Sequence, residues 1–252
     1  MTKIKDLGTT TTCKCGGDCC CGSNTTLLNT VGHLLLDETG SMASGQDMTR
    51  DTFNEYFSGL KNVENITFGV SFFSLREGEK SIRPQSPQDD KPGNVTALTA
   101  QNYVPGGSTN LYDAIGSTIR DMTVRLSGAS TKFKPLIVIQ TDGRENSSTE
   151  FKLADIKRMV IKKQNEGWQF IFLGCGIDAM RDGQQMGFYK GSTVSYDYST
   201  IGQMGSVISS NTASYAACSS EGSDNFFDND GQTVNLVEEA EKAKKATTAG
   251  KK

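Results

Sequence analysis

Three short, widely separated segments carry oxygen ligands with no nitrogen or sulfur among them: Asp37-Glu38-Thr39-Gly40-Ser41, Gly107-Ser108-Thr109-Asn110-Leu111 and Thr141-Asp142-Gly143. Brought to one place, Asp37, Thr39, Ser41, Thr109 and Asp142 would present two carboxylates and three hydroxyls. Such a set suits Mg²⁺ or Mn²⁺, hard cations that prefer near-octahedral oxygen coordination and usually keep some water. The lack of histidine and cysteine in these segments argues against zinc there. Asp, Ser and Thr at strand ends are also ordinary helix caps. Their chemistry therefore depends on which elements gather them.

Those elements can be read from hydrophobic period. His33-Leu34-Leu35-Leu36 is a short apolar run stopped by Asp37, as in a central strand of a parallel sheet, with His33 packed inside the strand. Phe53, Tyr56, Phe57, Leu60 and Val63 fall at helical spacing. Ile66, Phe68, Val70 and Phe72 alternate as a second strand, and Glu79 to Arg83 reads as a short third one. A Pro/Gln/Asp-rich loop, Pro84 to Asn94, follows. Gly106 and Gly107 let the backbone come close to a ligand and open a helix with Leu111, Ile115, Ile119, Met122 and Leu126 on one face.

Leu136-Ile137-Val138-Ile139 is a buried strand with Asp142 just past its end. A helix is expected from about Ser148 to Glu166, capped by Gly167, then a strand from Trp168 to Leu173. A short helix near Ala179–Gly187, a strand near Thr193–Tyr196 and a helix from about Ser199 to Ala217 complete the series. This alternation implies an α/β fold, a doubly wound, mostly parallel central sheet with helices on both faces. Ligands of such sheets lie outside the carboxyl ends of the strands, at the topological switch point. Asp37, Thr109 and Asp142 are expected on that edge.

The 252 residues divide into a Cys/Thr/Gly-rich flexible arm (1–27), one folded domain (28–220) and a polar tail (221–252). A net charge of −3 does not suit nucleic acid as a main partner. No apolar run approaches the ~20 residues needed to cross a bilayer, and no membrane partner is expected. The first residues lead into threonines and cysteines rather than an apolar signal region, so a cytoplasmic location is expected, the host's cytoplasm if the gene is a phage's. Five of the seven cysteines, Cys13, Cys15, Cys19, Cys20 and Cys21, crowd the arm. They could capture zinc or a soft metal, but lack the paired spacing of a zinc ribbon and equally suit a tail without fixed ligands. Cys175 and Cys218 read as small buried core residues.

At the three oxygen-bearing segments the chain resembles the von Willebrand factor A (vWA) domain, in the small stand-alone form found in bacteria and their phages. That family carries a metal-ion-dependent adhesion site: an Asp-x-Ser-x-Ser loop, a distant Thr and a further Asp-Gly. Asp37 and Ser41 match the loop, and Thr39 replaces its first Ser, keeping the hydroxyl and adding a methyl. Thr109, with Leu111 two residues on, matches the Thr, and Asp142-Gly143 the last element. Gly40-Ser41-Met42, Leu111-Tyr112-Asp113-Ala114 and Glu166 to Gly174 extend the similarity over about residues 28–218.

The resemblance implies that the hydroxyls of Thr39, Ser41 and Thr109 approach the ion, while Asp37 and Asp142 act directly or through water. It also implies a sixth position left for a carboxylate from a partner protein, hence a binding module rather than an enzyme. An AAA+ ATPase or an assembly component would be a partner in the manner of some relatives. Tyr112, Arg144, Glu145 and the 84–94 loop are candidates for the rim.

Two other readings stay open at this level. The run into Asp37-Glu38-Thr39-Gly40-Ser41 is also similar to the Asp-Lys-Thr-Gly-Thr loop of P-type ATPases and haloacid-dehalogenase-like phosphatases, with Asp37 as nucleophile. That chemistry needs a lysine to hold the phosphoryl group, and Lys132 and Lys134 lack the matching context. A structural or assembly protein with a vestigial site is the other.

Overall fold

The computed structural model describes residues 28–86, 88–129, 131–175, 178–196, 204–218 and 226–227. The cysteine arm, the start expected for the last helix and most of the polar tail lie outside these residues. Strand β1 (Asn29–Asp37) extends the expected apolar run at its amino end and is followed, through a 3₁₀ turn, by α1 (Gln46–Leu60). Then come β2 (Ile66–Phe73), β3 (Ile82–Pro84), α2 (Leu111–Ser127), β4 (Phe133–Thr141), α3 (Leu153–Asn165), β5 (Gln169–Cys175), α4 (Ala179–Gln185), β6 (Thr193–Tyr196) and α5 (Met204–Ala217).

The strands form one six-stranded sheet in the order β3-β2-β1-β4-β5-β6. All neighbours are parallel except the short β3, which runs antiparallel to β2. The chain leaves β1 toward β2 on one side and later returns to β4 on the other. The switch point therefore lies between β1 and β4, where Leu36 pairs with Gln140. Asp37 and Thr141 are the last residues of these two strands.

Alternate side chains supply two cores, as a sheet covered on both faces requires. On one face Leu34, Leu36, Val138 and Ile171 pack with Phe53, Tyr56 and Phe57 of α1 and Met204 and Ile208 of α5. On the other, Leu35, Ile137, Ile139 and Phe170 meet Ile115 and Ile119 of α2 and Ile156 and Val160 of α3. Phe226 and Phe227, past residue 220, are also buried, with Phe226 against Tyr215 of α5.

Strand β2 forms where its alternating large residues place it. All eight of its residues are buried, because Thr67, Gly69 and Ser71 between the large residues lie under covering chain, with Gln88 against Gly69. Helix α3 begins at Leu153, not Ser148. The Asp113 carboxylate takes the N–H groups of Thr149, Glu150 and Phe151 at 2.8–2.9 Å and holds that stretch non-helical. Cys175 and Cys218 are of intermediate exposure rather than fully buried. Cys175 is the last residue of its strand and Cys218 lies just beyond α5, so each has core on one side only. The 84–94 loop does not rim the carboxyl edge. It runs down beside β2, and Asp90 bridges Phe68 near the strand's start.

His33 is 4% exposed, and its Nδ1 lies 3.1 Å from the side-chain oxygen of Gln88. Burial, and secondarily the charge of Arg125, lowers its pKa to about 4. The folded state thus binds this proton less tightly than the unfolded chain, whose value is near 6.5. His33 contributes stability above about pH 6.5 that is lost as pH falls toward 4. The full loss amounts to about 3 kcal/mol. Denaturant melts of wild type and His33→Asn from pH 7 to pH 4, with chelator present, should differ in slope by that amount. Parallel curves would contradict the assignment.

Candidate functional site

Strand β1 delivers Asp37 fully buried at its carboxyl end. The chain then turns, and the Thr39 N–H donates to Asp37 Oδ1 at 2.7 Å, the local hydrogen bond that Asp favours in turns. The other carboxylate oxygen accepts from Thr141 Oγ1 at 2.6 Å, across the switch point from β4. Tyr103, also fully buried, donates its hydroxyl to the Asp37 carbonyl at 2.7 Å. No lysine or arginine pairs with Asp37 among the described residues. Burial pushes its pKa up to about 6, hydrogen bonds from Thr141 and Thr39 oppose the shift, and the Asp142 charge adds to it.

The second segment is laced to the first by backbone. Gly106 N–H donates to the Glu38 carbonyl (2.9 Å), and Gly40 N–H to the Gly107 carbonyl (3.1 Å). Leu75 and Ser108 exchange both of their backbone hydrogen bonds, at 2.9 and 3.0 Å. Gly107 has φ +82°, and a Cβ there would lie 2.5 Å from the Leu75 carbonyl oxygen, so the close approach requires glycine. Thr109 is tied forward as well: its carbonyl accepts from the N–H groups of Asn146 and Ser147, at 3.0 and 3.1 Å.

The third segment, Asp142-Gly143, leaves β4 beside Asp37. Ser41 Oγ donates to Asp142 Oδ1 at 2.7 Å. Thr39 Oγ1 lies 3.2 Å from Ser41 Oγ and 3.3 Å from Thr109 Oγ1. All five residues singled out from the sequence therefore join in one hydrogen-bonded cluster: Asp142–Ser41–Thr39–Thr109, with Asp37 bound to the Thr39 backbone. A Cβ on Gly143 would stand 3.1 Å from Thr109 Oγ1, 3.2 Å from Ser41 Oγ and 3.6 Å from Asp37 Oδ2. The missing side chain thus leaves a small gap in the third segment onto which oxygens from the first two converge. This donor set, with a buried and uncompensated carboxylate beside it, fits a hard divalent cation.

Other functional residues were not foreseen. Glu38, between two site residues, is buried and accepts both Arg83 Nη2 contacts, at 2.7 and 2.8 Å, and the Val104 N–H at 3.0 Å. Arg76 lies 3.5 Å from the same carboxylate and donates to the carbonyls of Glu38 and Gly106, both at 3.1 Å. This clamp sets the spacing of the first two segments. The available signal was an acidic residue at the end of an apolar strand, which demands a cation nearby. Beyond Asp142, Glu145, expected at the rim, accepts from the backbone N–H groups of Tyr112, Ser147 and Ser148, and so shapes the loop.

The sequence profile of the von Willebrand factor type A domain matches residues 33–210. The chain belongs to the von Willebrand factor type A family. No curated protein sequence matches it. Among solved structures it is similar to proximal thread matrix protein 1 of the mussel byssus in a form with a zinc-occupied MIDAS motif (TM-score 0.54, 15% identity, 72% of this chain and 47% of that one). Another is manganese-loaded TRAP protein of Plasmodium vivax (TM-score 0.53, 16% identity, 70% and 71%). A third is the pilus adhesin SpaC of Lactobacillus rhamnosus GG in its open conformation (TM-score 0.56, 14% identity, 75% and 30%). The vWA chain thus spans about half the length of the mussel protein's structure. At these identities the likeness concerns the fold.

The clamp makes a stability prediction. Glu38→Ala removes the acceptor shared by two partly covered arginines and should lower unfolding free energy by about 2 kcal/mol, discounted for the solvent reaching Arg83. Arg83→Gln should cost less, since Arg76 still faces the carboxylate. Urea melts of the two variants would reveal the order, and a larger loss for Arg83→Gln would contradict the clamp.

Proposed function

We propose that this vWA protein is a divalent-metal-dependent protein-binding module rather than an enzyme. Asp37, Thr39, Ser41, Thr109 and Asp142 would hold Mg²⁺ or Mn²⁺, and the ion would capture an acidic side chain of a partner protein. The observation that carries this reading is the convergence of ligand oxygens on the gap at Gly143, beside a carboxylate that burial leaves without a counter-charge. Two carboxylates match the charge of a divalent ion, and the hydroxyls add none, so the bound ion keeps its attraction for an added carboxylate. Family membership and the metal-loaded state of two proteins sharing the fold accord with it.

Phosphoryl transfer from Asp37 lacks comparable support. Lys134, one of the two lysines before that strand, pairs in register with Thr30, seven residues before Asp37. At about 3.3 Å per residue that is roughly 23 Å away. Its ammonium instead donates to the carbonyls of Tyr215 and Cys218 near the end of α5. No helix among the described residues is long and apolar enough to cross a membrane.

Calorimetric titration of Mg²⁺ into the full chain under reducing conditions tests the site. Wild type should bind, Asp37→Ala should not, and Gly143→Ala should weaken binding at least tenfold by placing a methyl among the oxygens. Because the Gly143 backbone suits an ordinary residue, that variant should unfold within about 0.5 kcal/mol of wild type. Equal Mg²⁺ affinity in all three proteins would overturn the proposal.

A further inference from the structure

Beside the oxygen cluster lies a cleft of about 390 Å³, walled on one side by the loop after β4 and on the other by α4. Asp142 and Gly143 belong to both, so the cleft opens directly off the candidate ion site. Its lining includes the apolar side chains of Leu111, Leu153, Phe172, Ala179 and Met186 together with charged ones. The charged groups stand at the rim. Arg144 reaches across to Asp178 and Asp182 of the opposite wall, and Arg181 pairs with the same two carboxylates. Those ion pairs keep the rim polar and internally balanced. Three residues expected around the site from sequence, Tyr112, Arg144 and Glu145, line this cleft.

Resting on the metal-dependent reading above, we infer that the cleft is the specificity pocket of that site. Its occupant is an extended segment of a protein partner in which the metal-seeking Asp or Glu adjoins a large apolar residue such as Phe, Leu or Met. Three observations select this chemistry. The shared wall at Asp142 and Gly143 puts the two subsites within reach of adjacent side chains of one strand-like segment, whose residues rise about 3.3 Å each. The volume suits one or two side chains, whereas a docked helix would need a longer groove. Leu111, Leu153, Phe172, Ala179 and Met186 offer contact to carbon, while Arg144 and Arg181 are already paired with Asp178 and Asp182, which favours an apolar side chain over a second charged one. The carboxylate–ion contact would then supply metal dependence, and the cleft would distinguish one acidic partner from another.

The test uses three synthetic peptides against the full chain with saturating Mg²⁺, read by fluorescence anisotropy: Gly-Phe-Glu-Phe-Gly, Gly-Ala-Glu-Ala-Gly and Gly-Phe-Gln-Phe-Gly, each dye-labelled. The phenylalanine–glutamate peptide should bind at least tenfold more tightly than the alanine one, the return expected from burying an aromatic side chain. It should release on chelation, and the glutamine peptide should bind at least tenfold more weakly. Leu153→Asn, at the partly exposed start of α3, should erase the phenylalanine advantage while leaving Mg²⁺ titration and melting temperature near wild type. Should Leu153→Asn fold poorly, Tyr112→Ala serves as the second cleft variant, with the same outcome expected. Metal-dependent binding that is equal for the phenylalanine and alanine glutamate peptides would overturn the specificity pocket and leave the metal-dependent reading standing. Binding of no glutamate peptide above the glutamine control, up to millimolar concentration, would overturn both.

Discussion

A carboxylate taken out of water with no cation beside it is an expensive thing to keep in a protein. Asp37 has no lysine or arginine partner among the described residues, and much of the carboxyl edge of the sheet is arranged around it. One oxygen receives a backbone N–H from its own turn and the other a threonine hydroxyl from the neighbouring strand. A buried tyrosine fixes the carbonyl behind it. These neutral donors soften the desolvation cost without removing it, which is why the pKa remains raised. The switch point of the sheet makes the arrangement possible, because only there do two strand ends diverge and leave room above the sheet. The second segment then has to come close, and Gly107 with the paired backbone bonds at Leu75 and Ser108 holds it there.

Much of this was legible in the residues themselves. Apolar runs cut off by Asp or Thr mark the ends of central strands, and the helical period of α1 and α2 was plain. The five oxygen ligands could be grouped because a parallel α/β sheet sends the carboxyl ends of its inner strands to one edge. What sequence hid was whatever depended on partners distant along the chain. The start of α3 is displaced because the Asp113 carboxylate captures three N–H groups some 36 residues away. The 84–94 loop looked like a rim by position, but its bridge to Phe68 draws it to the other end of β2. Glu38 had no role assigned from sequence. Its role as the centre of a two-arginine clamp depends on Arg76 and Arg83, which only the fold brings near.

The acids around the site also deserve comparison with one another. Glu38, Asp113 and Glu145 each lie close in sequence to a residue of the cluster, yet each is filled by internal donors: two arginines and an N–H for the first, three N–H groups for the second, and three N–H groups with a hydroxyl for the third. Carboxylates so engaged hold loops in shape and have little capacity left for a foreign ion. Asp37 lies by the gap and Asp142 adjoins it in sequence, and these are the two acids of the proposed ligand set. In the proposed site the consequence would be a filter on valence: a singly charged ion would leave surplus negative charge there and a triply charged one surplus positive, while a doubly charged ion would bring the pair to neutrality. Ions would then be sorted by charge before size and ligand preference come into play.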